Sequence, residues 1–210
     1  MKTLKIVAIF FLTVTLLSGC GIHTALVGNL NSNVTSVELS KKNFKVLERI
    51  KDRLLEVSNY VVADAYFSKA TFAKGLDSMG FHLVSRLRDD ANLMYIHDGQ
   101  PTGKRGRPKV HGDKIDFKHL DYTKIQEIET NNEDGKLYTL IAYSQAMKRK
   151  IRLVIWINKK GKHKLYFSTD INMSGRDVID FYRTRFQIEF CYRDAKQFTG
   201  LYHSEARDIR

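Results

Sequence analysis

Tyr182, Arg185, Glu189 and Lys196 stand three, four and seven residues apart within FYRTRFQIEFCYRDAKQFTG, which runs from Phe181 to Gly200. In a helix advancing ~100° per residue, all four fall within about 60° of one another. Ile179, Phe186 and Phe190 border that stripe on one side; Phe181, Ile188 and Tyr192 border it on the other. A solvated helix face is broad and polar. A thin ionisable stripe between two apolar ones instead suits a helix laid into a core and carrying a site. The spacing predicts one helix through this stretch, opened by Ser174 and Asp177 in a capping-box-like start.

The segments upstream predict what that helix packs on. NYVVAD reads as a buried strand ending at Asp64, and SKATFAKGLDSMG as a helix with Ser68 as N-cap and Gly80 as C-cap. FHLVSRL reads as a second strand, so strand, helix and strand predict a parallel βαβ unit. RIKDRLLEVS before them is a short helix or the end of one. KIQEIET, KLYTLIAYS, IRLVIWI and KLYFSTD predict further strands, the last two joined by a hairpin turn around Gly161 in NKKGK. Trp156, among Leu153 to Ile157, reads as core strand. The fold class is α/β, a mixed sheet with helices.

Charge and the N-terminus divide the chain. Its 210 residues carry a net +12, and 43% are hydrophobic, so most of the chain should be globular and attract polyanions such as nucleic acid or anionic lipid. Residues 1–50 hold six Lys/Arg and two Asp/Glu, which leaves 29 basic and 21 acidic residues beyond them. The body is therefore basic in its own right. With only Cys20 and Cys191, no disulfide framework or cysteine-based zinc site is readable. MKTLKIVAIFFLTVTLLSGCG has Lys2 and Lys5, an apolar run from Ile6 to Leu17, then small residues, the order of a secretory signal. That run is shorter than the ~20 residues a membrane-spanning helix needs. LSGC resembles a bacterial lipobox, which implies lipidation at Cys20. The organisation expected is a signal over residues 1–20, a lipoprotein-derived or linker segment over 21–50, and a body over 51–210. A junction is expected between about Phe44 and Val57, and a strand-rich insertion over about 92–165.

Several residues are placed for chemistry. Asp64 ends an apolar strand, and ligands of α/β sheets bind beyond the carboxyl ends of strands. A lone Asp there also serves as a turn cap. Glu189 has Arg185 and Arg193 four residues away on either side, which suits a helix ion pair as well as a site. Together, a strand-end Asp and an inward Glu can converge on Mg²⁺ or Mn²⁺, which take a few carboxylate oxygens plus waters and substrate phosphates. Arg185 offers a phosphate a fork and Lys196 a point charge; Tyr182 offers a hydroxyl or a stacking ring. GKRGRPK supplies Lys104, Arg105, Arg107 and Lys109, the densest basic run. Its Arg105-Gly106-Arg107-Pro108 resembles an AT-hook core, which enters a narrow minor groove; a solvated basic loop has the same composition. His111 lies close by, and the seven histidines show no metal-ligand spacing.

Tyr182-x2-Arg185-x3-Glu189-x6-Lys196 resembles the Y-R-E-K signature of insertion-sequence transposases of the "four" family, DDE enzymes with a ribonuclease-H-like core. VVADAYFSK resembles the segment around that family's second catalytic Asp, and GKRGRPKVHGDKIDF its basic loop. The resemblance spans about Leu54 to Leu201. It implies metal-dependent cleavage and joining of double-stranded DNA at transposon ends, with Asp64 and Glu189 as catalytic metal ligands. It also implies that Tyr182, Arg185 and Lys196 contact DNA or orient the Glu, and that the intact enzyme acts as a homodimer.

One departure alters the expectation of activity. The family's first Asp lies on a strand well upstream, whereas the only Asp before Asp64 here is Asp52, in a charged, helix-like context. The expectation is an N-terminally truncated transposase with an incomplete ribonuclease-H-like core, fused behind a lipoprotein signal and weak in metal binding and catalysis. The alternatives are a non-enzymatic envelope lipoprotein anchored through Cys20 and a simple DNA-binding module using the basic loop. The signal implies the bacterial envelope, the body the cytoplasm.

Overall fold

The structure, a computed structural model, describes residues 36–97, 99, 111–129 and 135–198; the side chains of residues 36–43, 46, 188, 189, 191, 192, 195 and 196 lie outside that description. Within it the chain runs as helix α1 (Ser36–Leu55), strand β1 (Tyr60–Val62), one 3-10 turn (Ala65–Phe67), helix α2 (Ala70–Ser78) and strand β2 (His82–Leu87). Strands β3 (Leu93–Ile96), β4 (His111–Lys114), β5 (Gln126–Ile128), β6 (Gly135–Ser144), β7 (Arg149–Asn158) and β8 (His163–Ser168) follow, then helices α3 (Gly175–Arg183) and α4 (Arg185–Phe198).

The strands form one mixed sheet in the order β1-β2-β8-β7-β6-β3-β4, with β5 paired to β6 beside β3. β1 and β2 are parallel and joined through α2, the βαβ unit read from the sequence. All other pairs are antiparallel. This is the α/β class expected from the sequence, a mixed sheet with helices.

Alternation along the strands sorts side chains between two faces. Val61 and Leu83 face one way, joining Leu153, Phe72 and Leu76 of α2, and Leu47 of α1. Val62 and Val84 face the other way, where Val154, Val178, Phe181 and Tyr182 of α3 close over them. Helices thus cover both faces of the βαβ region. Parallel β1 and β2 end at the same sheet edge. Leu87 of β2 pairs with Leu165 near the start of antiparallel β8. The β7–β8 turn therefore lies at the edge where β1 delivers Asp64.

Three local expectations need correction. The stretch from Ser174 is two helices, not one. Ser174 does cap the first, its Oγ accepting from the Asp177 amide at 3.1 Å. That helix ends at Thr184, whose hydroxyl donates to the Phe181 carbonyl at 2.6 Å. Tyr182 consequently belongs to α3, and Arg185 and Glu189 to α4. The apolar borders also diverge: Ile179 and Phe181 are buried, whereas Phe186 and Phe190 are 47% and 52% exposed. Ser68, finally, does not cap α2. Lys69 holds that position without a side-chain bond, and the Ser68 hydroxyl donates instead to the Arg86 carbonyl at 2.7 Å. A cross-strand acceptor captured the side chain that local pattern assigned to the helix. Strands β3, Leu93–Ile96, and β4, His111–Lys114, were not read individually, the second being taken into the basic loop, although both fall in the strand-rich stretch expected over about 92–165.

Candidate functional site

Asp64 leaves the buried run Val61–Ala63 and caps the 3-10 turn with extended backbone angles, φ −68° and ψ 160°. Two bonds to its carbonyl fix the position: the Phe67 amide donates at 2.9 Å and the Ser85 hydroxyl at 3.0 Å. Ser85 is fully buried on β2 and lies 3.0 Å from the Ser68 hydroxyl. The loop after β1 is thus pinned to the neighbouring strand. Oδ1 of the carboxylate takes only a long 3.4 Å contact from the Tyr66 amide.

Oδ2 of Asp64 meets a guanidinium nitrogen of Arg185 at 3.3 Å. The two side chains are 38% and 12% exposed, so the pair straddles the surface with the cation on the inner side. The Arg185 guanidinium also lies 5.8 Å from the Tyr182 ring and 4.6 Å from that of Phe186. Tyr182 is 8% exposed and packs against Tyr166 at 4.9 Å. Burial pushes the Tyr182 hydroxyl upward and the nearby Asp64 adds to the rise, while Arg185 opposes it. Burial raises the Tyr166 hydroxyl too, against Arg86 and Arg183. Both phenols are neutral at physiological pH and offer O–H groups rather than charge.

A cavity of about 300 Å³ adjoins this cluster, lined by Arg86, Lys164, Arg183 and Arg185 together with Trp156, Tyr166 and Tyr182. Lys164 lies over the Trp156 ring at 5.3 Å, since the two residues are register partners on β8 and β7. Arg86 bonds Asp89 at 3.1 Å, and its Nε is buried without a hydrogen-bond partner among the described residues. Four cations among aromatic rings suit an anion that carries planar groups. Arg86, Trp156, Lys164, Tyr166 and Arg183 escaped the sequence reading. The available signal was Arg86, a charge interrupting an apolar strand one residue before its end, at the same edge as Asp64.

The structure thus brings together Asp64, Tyr182 and Arg185. Glu189 follows Arg185 by four positions on α4, and Lys196 lies further along the same helix; their side chains are outside the description. Lys104, Arg105, Arg107, Lys109 and Cys20 fall outside the described residues. Asp52 lies exposed on helix α1 rather than on a strand. Among the described residues no three His, Cys, Asp or Glu side chains gather as a metal site, and no helix is long and apolar enough to cross a membrane.

Residues 43–147, half of the chain, match the DDE superfamily endonuclease family. The chain belongs to the DDE endonuclease superfamily. Residues 133–206, which hold β6 to β8 and both C-terminal helices, match archaeal transposases of the ISC1217 type. Residues 1–62 match a different family, of unknown function. No curated protein matches the chain. DDE endonucleases are generally dependent on divalent metals, and a transposase of this superfamily acts on DNA. In this DDE chain the carboxylate of Asp64 is a suitable donor, but a single described carboxylate is fewer than such ions require.

Proposed function

We propose that residues from about 51 onward are the catalytic part of an insertion-sequence transposase of the "four" family, defective in catalysis by itself. The observation that supports this best is the meeting, at the end of β1, of Asp64 with Arg185 and Tyr182: the first singled out as a strand-end carboxylate, the other two by their spacing in a distant stretch of the chain. In this reading Asp64 and Glu189 hold Mg²⁺ or Mn²⁺, which supplies activation of water and of a 3′-hydroxyl when bound. Arg185 holds the Asp64 carboxylate in place and turns to phosphate when DNA arrives. Tyr182 backs the guanidinium with its ring. Lys196 and the basic loop of Lys104, Arg105, Arg107 and Lys109 contact the duplex backbone. With no Asp at the position of the family's first ligand, metal binding is weak and strand cleavage negligible.

Duplex binding by the purified chain, followed across a salt series with and without Mn²⁺, tests this. Salt-sensitive binding that weakens in Arg105→Ala/Arg107→Ala is expected, with plasmid nicking no greater than that of Asp64→Asn. Failure to bind duplex at any salt sinks the transposase reading. Metal-dependent nicking that Asp64→Asn abolishes overturns the claim of inactivity.

A second reading concerns the N-terminus and is favoured by the separate match of residues 1–62. That match overlaps the endonuclease match over 43–62, an interval that contains the junction expected between about Phe44 and Val57. A mobile element inserted into a lipoprotein gene yields such a chain, directed to the bacterial envelope if the signal is used and cytoplasmic otherwise. Fatty-acid labelling that disappears in Cys20→Ala supports export; an unlabelled chain removes it.

A further inference from the structure

The β7–β8 turn carries Lys159, Lys160 and Lys162, with Lys164 at the start of β8. From Gly135 to Thr169 the chain has nine Lys/Arg and no Asp or Glu, so the strands holding this turn provide no acid of their own. Exposed lysines stand at both ends of β7, Lys148 and Lys150 at one and the turn lysines at the other, but the arginines are engaged. At the end remote from Asp64, Arg149 pairs with Asp77, and Arg152 donates twice to the Ile171 carbonyl, at 3.0 and 2.6 Å. At the Asp64 end, the four lysines have no carboxylate within ion-pair distance among the described residues. Lys159, Lys160 and Lys162 are exposed.

The turn is built without those side chains. Asn158 Oδ1 accepts from the Lys160 amide at 3.0 Å and the Lys162 amide at 2.8 Å. The Gly161 amide donates to the Asn158 carbonyl at 2.9 Å, with Gly161 at φ +74°. His163 ties the base of the turn down, its Nε2 lying 2.9 Å from the Asp89 carbonyl. A rigid backbone thus presents cations that the fold does not consume. Lys164, two residues beyond the turn, lines the cavity beside Asp64 with Arg86, Arg183 and Arg185.

We propose that the β7–β8 turn is a second DNA-contact surface, on which Lys159, Lys160 and Lys162 grip the phosphates of a duplex whose reacting strand lies at Asp64. The proposal rests on the transposase reading and adds to it the direction in which the duplex leaves the site, across the β7–β8 edge. The contact is with backbone and carries no sequence preference, since lysines at a turn tip meet phosphates as point charges.

Duplex binding by the full chain, measured by fluorescence anisotropy over a salt series, decides the matter. Each phosphate contact contributes about 0.9 to the slope of log affinity against log salt. Lys160→Gln/Lys162→Gln is expected to flatten that slope by about 1–2, with an unchanged melting temperature. Lys148→Gln/Lys150→Gln, a matched pair at the opposite end of β7, is expected to leave the slope as it is. An unchanged slope in the first variant, or equal flattening in both, overturns the proposal. So does a loss confined to phosphatidylglycerol vesicles with duplex binding intact, which makes the turn a lipid contact. A wild-type chain that binds no duplex fails earlier and refutes the transposase reading itself.

Discussion

Tyr182 joins two roles that a substitution can separate. Its ring fills the core between α3 and the sheet, while its hydroxyl is a neutral group near Arg185 and Asp64. Tyr182→Ala should cost about 3–5 kcal/mol of stability, as removal of a buried aromatic does. Tyr182→Phe should leave the melting temperature within a few degrees and report only on DNA binding. At the start of β1, the Tyr60 hydroxyl donates to Asp170 Oδ2 at 2.7 Å, and burial with that bond pushes it up to about 12. A group raised in the folded state stabilises below its unfolded value and loses that contribution as pH rises through the folded one. Stability should therefore fall between about pH 10, the unperturbed tyrosine value, and about pH 12. Tyr60→Phe should remove this component from a melting-temperature profile. Asp64 was legible as a residue because an apolar run ended on it. Its partner was not, since nothing in the sequence says which cation of the C-terminal stretch turns toward β1.

Among the elements, strands with β-branched and aromatic runs were readable: VVAD, HLVSRL, and the long pair around RLVIWI. β3 escaped because LMYI has one β-branched residue and follows the charged turn Arg88-Asp89-Asp90. The break at Thr184 escaped for a different reason. No Gly or Pro marks it, and the helical period continues across it, so only tertiary packing reveals two helices. The start of α3 is tightly placed: a Cβ on Gly175 would lie 2.6 Å from Ile128 Cδ1 and 2.7 Å from Thr139 Cβ. Gly175→Ala should therefore lift α3 from β6 and cost about 1–3 kcal/mol in a denaturant titration. α3 in turn sets the aim of α4. At ~1.5 Å per residue, a ~10° change at Thr184 moves Arg185 hardly at all, but shifts the Glu189 backbone by about 1 Å. The Asp64–Arg185 pair sits beside the pivot and steadies the rest of α4.

At the scale of the whole molecule, the match to one family ends at residue 62 and the match to the other begins at 43, yet the fold keeps no gap there. Helix α1 runs without interruption across the overlap, from Ser36 to Leu55. Its Leu47 is fully buried, and its Phe44 ring stacks on Phe72 of α2 at 5.2 Å. A Cβ on Gly75 would meet that ring at 2.4 Å, so α2 accepts Phe44 only because Gly75 has no side chain. Leu47→Ala should cost about 2–5 kcal/mol, and a chain shortened to 51–210 should melt lower than one beginning at 36. Composition gave no sign of this packing, because a buried leucine in a charged helix reads the same whichever core receives it. Phe44 and Leu47 fall inside both family matches, so the interval the two matches share is not a mechanical boundary. A substitution anywhere along α1 that tilts the helix is felt in the core beneath β1 and β2 as a loss of stability.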